Sequence, residues 1–159
     1  MNFDLTFVPD RAYYEEAYDE IISTLKRRKY ESYLATCMIV FGLFFYFLNI
    51  FETLKFFPFI LIFFGIYGHF SMYNEKKKWL KDRLDSRVAG QSMQLNFSEE
   101  VIKHHGPFSS GEIAWDGIKE ILKTTKGILL KPENGISIYL PKTLFKNQKQ
   151  IDFVLSKKN

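Results

Sequence analysis

The chain has almost nothing from which to build a metal centre or a covalent cross-link. Cysteine occurs once, as Cys37 inside an apolar run, so no intramolecular disulfide can form and the thiol reads as a small packing residue. Histidine is confined to His69, His104 and His105. The adjacent pair lies on a strand pattern, where neighbouring side chains point to opposite faces, so the two cannot easily share one ion. No Cys/His spacing of zinc or iron type occurs, and the expectation is neither metal nor cofactor. The residues of nucleophilic catalysis are equally scarce. Ser109-Ser110-Gly111 has no arranged His or Asp partner, and the acidic pairs Glu99-Glu100 and Glu112/Asp116 fit surface turns. Gly106, Gly111 and Gly117 are spaced too irregularly for a phosphate loop. The chain therefore reads as non-enzymatic. Internal repeats and low-complexity tracts are missing as well.

Charge is missing over one long stretch. Ser32 to Phe51 contains no charged residue, and about 20 helical residues cover the hydrocarbon core of a bilayer. Its Leu, Ile, Phe and Val side chains each favour insertion by roughly 0.3–0.6 kcal/mol near the centre, which outweighs Thr36 and Asn49. A second run, Leu54 to Tyr73, carries only Lys55, at its end, where the ammonium can snorkel to the interface. Pro58 falls in the first turn, where its missing N–H costs little. Both runs are apolar all round and reach spanning length, which argues against a buried hairpin in a soluble core. They predict a transmembrane helical hairpin with spans 32–51 and 54–73. Its intramembrane polar residues are Asn49, near the external end, and His69, near the other. His69 reads as an interfacial anchor, with a proton role as the alternative. Gly42, Gly65 and Gly68 read as close-packing points, within the hairpin or between copies.

Basic residues bracket the two runs. Lys26, Arg27, Arg28 and Lys29 precede the first; Lys76, Lys77 and Lys78, then Lys81 and Arg83, follow the second. The positive-inside rule then places both termini in the cytoplasm of a bacterial inner membrane. Tyr30, Tyr33, Tyr73 and Trp79 would form an aromatic belt on that side. The net charge of +4 is accounted for by these collars facing anionic lipid, so no nucleic-acid partner is expected. The first apolar run starts at residue 32 and is too long for a cleavable signal peptide.

On either side, the pattern is mixed. Asn2 to Val8 alternates as a half-buried strand that must pair with the C-terminal part. Asp10 is placed to cap a helix from Arg11 to Tyr30 with an apolar stripe at Tyr14, Tyr18, Ile21, Ile22 and Leu25. With no Gly or Pro from Arg11 to Phe41, that helix is expected to run straight into the first span. Tyr73 to Val88 mirrors it, with Gly90 as the stop. From Ser92 the pattern turns to period two with turns at Lys126-Gly127 and Asn134-Gly135. A final helix is expected to begin at Leu144 or Phe145. The fold class is thus an α+β membrane protein: a two-helix transmembrane hairpin, cytoplasmic stalk helices, and a small antiparallel sheet closed by a C-terminal helix. The boundaries are 1–31, 32–73, 74–90 and 91–159.

The stretch GEIAWDGIKEILKTTKGILLKPENGISIYLPKTLF resembles the C-terminal module of YcxB-like bacterial membrane proteins. The resemblance rests on Trp115 before Ile118, the strand Leu129-Leu130-Lys131, the turn Asn134-Gly135, and Pro141-Lys142 with Phe145. It extends to the N-terminal strand, the amphipathic helix and the two spans. It implies a small sheet-and-helix domain, similar to bacterial pleckstrin-homology-like domains, on a two-span anchor, in a family without an established general activity. Trp115, Pro141, Lys142 and Phe145 are the candidate interaction or core-anchor residues; Lys142 with Lys146 would offer a basic patch. The expected function is a protein- or lipid-interaction module at the membrane. The alternative is an immunity protein that neutralises a membrane-acting toxin. The partners expected are the bilayer, a protein (for the alternative, a toxin) and a second copy of the chain.

Overall fold

The structure is a computed structural model describing residues 1–48, 55–133 and 135–157, without the Lys29 side chain. In chain order the elements are β1 (Phe3–Phe7), α1 (Arg11–Thr24), α2 (Lys26–Leu48), α3 (Phe57–Leu84), β2 (Met93–Phe97), β3 (Val101–His105) and β4 (Ser110–Ala114). Then come β5 (Ile118–Lys123), β6 (Gly127–Pro132), β7 (Ile138–Pro141) and α4 (Gln148–Ser156). Two compact units result: Met1–Thr24 with Asp82–Asn159, and Leu25–Lys81.

The first unit is α+β with two antiparallel sheets, ordered β1-β2-β3-β4 and β5-β6-β7. The alternation in β1 puts Phe3 and Leu5 inward and Asp4 and Thr6 outward. Their register partners on β2 are Phe97 and Leu95, both buried. Cross-strand pairs of this kind are the unit of sheet stability, so β1 is built into the module although the helical unit separates it from β2 in the chain. Ile118, Ile121, Ile128, Leu130 and Leu140 of the second sheet and Ile151 and Val154 of α4 complete the same apolar cluster.

The sequence pattern predicts one meandering sheet, and the structure has two. The chain changes sheet at Trp115–Gly117, a single 3-10 turn. Trp115 holds it: the backbone N–H donates to the Glu100 carbonyl at 3.4 Å, and Nε1–H donates to the Ser98 carbonyl at 3.0 Å. Period-two alternation continues through such a corner, which is why it does not show in the pattern. The first four residues of the middle strand β6, Gly127 to Leu130, are apolar and all buried, as a strand covered on both faces should be. Leu129 and its register partner Tyr139 are buried on the face opposite Ile128 and Leu130, where Tyr13 of α1 reaches Tyr139. Gly127 opens β6 because a Cβ there would run into the Leu140 carbonyl and the Tyr139 ring.

Helix ends differ from the expectation in three places, the first being α3, which ends at Leu84 and not at Val88. Asp10 does cap α1, its Oδ1 accepting from Tyr13 N–H at 2.8 Å. The helix does not run on to Tyr30, however, but stops at Thr24. The Ser23 and Thr24 hydroxyls donate back to the Glu20 and Ile21 carbonyls at 2.7 Å, and such local bonds compete with helix propagation. The last helix starts at Gln148, not at Leu144 or Phe145. Asn147 is its cap, its Oδ1 accepting from Gln150 N–H at 3.1 Å, while Phe145 is extended and buried. Gly90 has φ +75°, a left-handed residue that favours glycine, and its N–H donates to the Pro9 carbonyl at 3.1 Å.

Replacing Leu5 by Ala removes a side chain that is 1% exposed and is expected to destabilise the first unit by about 2–5 kcal/mol. Thr6→Ala, on the outer face of the same strand, should change stability by less than about 0.5 kcal/mol. Urea unfolding followed by tryptophan fluorescence measures both.

Candidate functional site

The second unit consists of α2 and the greater part of α3. Its contacts run in opposite directions along the two helices, so the pair is an antiparallel hairpin. Small residues line the seam. A Cβ on Gly65 would lie 2.6 Å from the Ala35 carbonyl; one on Gly42 would lie 2.8 Å from that of Pro58; one on Gly68 would meet the Ala35 Cβ at 3.1 Å. The backbones approach this closely because the side chains have been removed from the contact. All three glycines thus act inside the hairpin.

Ile39 and Ile62 pack on Gly65 and Gly42 in the seam, and Phe45 meets Phe57 and Tyr46 meets Phe59 between the helices, but many of the other large side chains point away from it. Phe47 is 78% exposed, Phe63 64% and Leu34 62%, and only 11% of the most apolar stretch of α2 is buried. By length and composition α2 is the one described helix able to cross a bilayer. α3 does not meet that measure over its described residues, because it begins at Phe57 and passes into Glu75, Lys76, Lys77 and Lys78. A soluble core helix would have its apolar surface covered. Here both helices leave theirs open.

Polar contacts also cross the seam. The Thr36 hydroxyl donates to the Ser32 carbonyl at 3.0 Å and lies 3.2 Å from His69 Nε2 across the seam. Nearer the start of α2, Arg27 Nε donates to Glu31 Oε1 at 2.7 Å and Arg28 Nη1 to Glu31 Oε2 at 3.1 Å. Arg28 also pairs with Glu75 across the seam. Half of the first basic block is therefore engaged with acids, while Lys26, Lys77 and Lys78 are exposed and Lys76 is half-buried. The i,i+4 spacing of Arg27 and Glu31 is a signal that the sequence carries. The Glu75 and Thr36 contacts depend on the hairpin register, which no local pattern reveals. Asn49 lies outside the described residues.

In the β module the four candidate residues divide. Trp115 and Phe145 are core anchors: Trp115 packs on Phe97 and Phe153, and Phe145 on Phe3. Pro141 is the last residue of β7, paired with Gly127. Lys142 donates from Nζ to the Thr125 carbonyl at 2.6 Å, so its ammonium tethers the β5–β6 turn. That turn also meets α1. The backbone N–H of Lys126 donates to Glu20 Oε2 at 3.2 Å, and Glu20 is buried. Tyr139 O–H donates to Glu16 Oε1 at 2.7 Å, and Tyr13 O–H donates to the Tyr139 carbonyl at 2.8 Å. This latch was not foreseen, although Tyr13, Glu16 and Glu20 fall at helical spacing. Burial holds both phenols well above the usual tyrosine range, Tyr139 with a further upward push from Glu16. At the opposite end of the module, the Lys157 ammonium bonded to Glu99 holds that carboxyl below its usual range.

Among the described residues, no group of three or more His, Cys, Asp or Glu could hold a metal ion. The His104 ring lies over Gly111, its register partner. No family model, curated protein or solved structure matches the chain.

Two predictions follow from these contacts. In a Cys37→Ser background, Ala35→Cys with Gly68→Cys should cross-link on mild oxidation, because their Cβ atoms come within reach of a disulfide. Adding Gly65→Ile should abolish the product; a gel shift reads both. For the latch, phenols whose folded pKa is raised contribute stability that is complete below the unfolded value, about 10. It is lost as pH rises through the folded one. Thermal unfolding of the wild type should therefore fall above about pH 10, and Tyr13→Phe with Tyr139→Phe should flatten that fall.

Proposed function

We propose that the chain is a non-enzymatic integral membrane protein whose two apolar helices both span the bilayer and carry a β module that acts as an interaction domain in the cytoplasm. The observation that carries this reading is the inversion of the hairpin. Glycines and Ala35 bring the two helix backbones together, while many of the Phe, Leu and Ile side chains face outward. In water such a pair would leave its apolar surface exposed and bury little; in lipid the outer face is solvated by acyl chains and close packing of small residues drives association. The uncharged part of α3, residues 57–74, is at the short end for a span.

The two sheets of four and three strands with a closing helix support a pleckstrin-homology-like architecture, as the YcxB-like resemblance implies. The hairpin then stands as an insertion between the first and second strands of that module. Trp115 and Phe145 are absorbed by the core, so the binding surface of such a module would lie elsewhere on it. Its ligand class in this reading is a protein or a lipid headgroup.

The membrane reading predicts retention in the pellet after alkaline carbonate extraction. In a Cys37→Ser background, Thr53→Cys should react with an impermeant maleimide from outside intact cells, whereas Ser110→Cys should react only after the membrane is opened. Release by carbonate, or labelling of Ser110→Cys from outside, sinks the reading. The interaction role predicts a partner in pull-downs from solubilised membranes that is lost on deleting Ser92–Asn159.

A further inference from the structure

Along one flank of the hairpin runs an open groove of about 550 Å³. Its two ends differ in chemistry. At one stand Arg27, Arg28, Glu31 and Glu75; at the other, Leu34, Met38 and Phe64, with Ala35 and Gly68 on the floor. From Arg28 to Met38 the groove covers about 15 Å of helix. A charged end leading into an apolar trough of that length matches the shape of a lipid, a headgroup followed by the upper part of an acyl chain.

The charged end narrows the choice. Two guanidinium groups face two carboxylates, so the lining is neutral overall but polarised. Arg28 gives one donor to Glu31 and another to Glu75, and a guanidinium has five. Donors remain for phosphate oxygens. Each carboxylate has several lone-pair sites, so Glu31 and Glu75 can still accept N–H bonds. An anionic headgroup would bring its charge up to both acids. A quaternary ammonium has no N–H to give them. A helix from another polypeptide or a second copy would have to cover four charged groups with apolar side chains, which is costly.

We propose that this groove binds a phospholipid whose headgroup carries a primary ammonium beside its phosphate, of the phosphatidylethanolamine type. The phosphate lies against Arg28, the ammonium between Glu31 and Glu75, and one acyl chain along Leu34, Met38 and Phe64. The proposal rests on the membrane reading of the hairpin. It makes the hairpin selective for one lipid chemistry, beyond anchoring.

The test uses the full chain, with a photo-reactive benzoylphenylalanine at the exposed Leu34 position, irradiated in native membranes. An adduct with the mass of a phosphatidylethanolamine supports the site. An adduct to a second copy, to another polypeptide, or to phospholipids in proportion to their abundance overturns it. Native mass spectrometry of the detergent-solubilised wild type, offered equal phosphatidylethanolamine, phosphatidylcholine and phosphatidylglycerol, should show about a tenfold preference for the first, the worth of one charge-assisted hydrogen bond. Glu31→Gln with Glu75→Gln preserves shape and should bring phosphatidylethanolamine down to the phosphatidylcholine level. Leu34→Trp should reduce retention of all three by obstructing the trough. Equal retention of the three lipids by the wild type overturns the proposal and leaves the membrane reading standing; release of the chain by alkaline carbonate overturns both.

Discussion

The module closes on one aromatic contact that joins its two ends. Phe3, near the start of the chain, stacks on Phe97 with ring centroids 5.0 Å apart, and meets Phe145 and Phe153 at 6.4 and 5.9 Å. Trp115, which turns the chain from one sheet into the other, leans on the same Phe97 and Phe153. First strand, sheet corner and closing helix therefore share one cluster. Closing the loop between β1 and β2 carries an entropic cost that grows only slowly with loop length, so the helical unit can stand between paired strands without forbidding their pairing. The Tyr13, Glu16 and Glu20 contacts add a second tie, fixing α1 to β7 and the β5–β6 turn before the chain leaves for α2.

The hairpin follows a different rule. At Gly42, Gly65 and Gly68 its seam is closed by missing side chains, while many of its large apolar side chains lie on the outside. Polar partners also meet across the seam, Thr36 with His69 and Arg28 with Glu75. That pairing changes the meaning of the basic block at the start of α2. Arg27 and Arg28 shape a neutral, polarised pocket mouth, and the exposed lysines Lys26, Lys77 and Lys78 carry the collar's net charge.

Much of this is legible in the sequence. The alternation of β1, its need of a distant partner, the Asp10 cap, the apolar runs and the packing role of Gly42, Gly65 and Gly68 rest on local periodicity and composition, which survive folding. The sheet corner does not, because period-two alternation is blind to a turn that preserves it. The helix stop at Thr24 is set by hydroxyls bonding backward, a tie that Gly and Pro do not announce. The end-on roles of Glu75, Thr36, Lys142 and Glu20 depend on contacts between elements far apart in the chain. Trp115 and Phe145, read as interaction or core-anchor residues, hold the core; the groups that shape a pocket are ordinary ion pairs.

The order of β1 and β2 along the chain also sets an order in time. β1 leaves the ribosome first, but its partner strand follows only after residues 8 to 92 have been made. At roughly 5–20 residues per second, that interval is roughly 4–17 s. During it Phe3 and Leu5 have no sheet to enter, while α2 and α3, complete and adjacent, can already zip along their glycine seam. The whole of the hairpin segment is thus synthesised before β2, the strand with which β1 pairs.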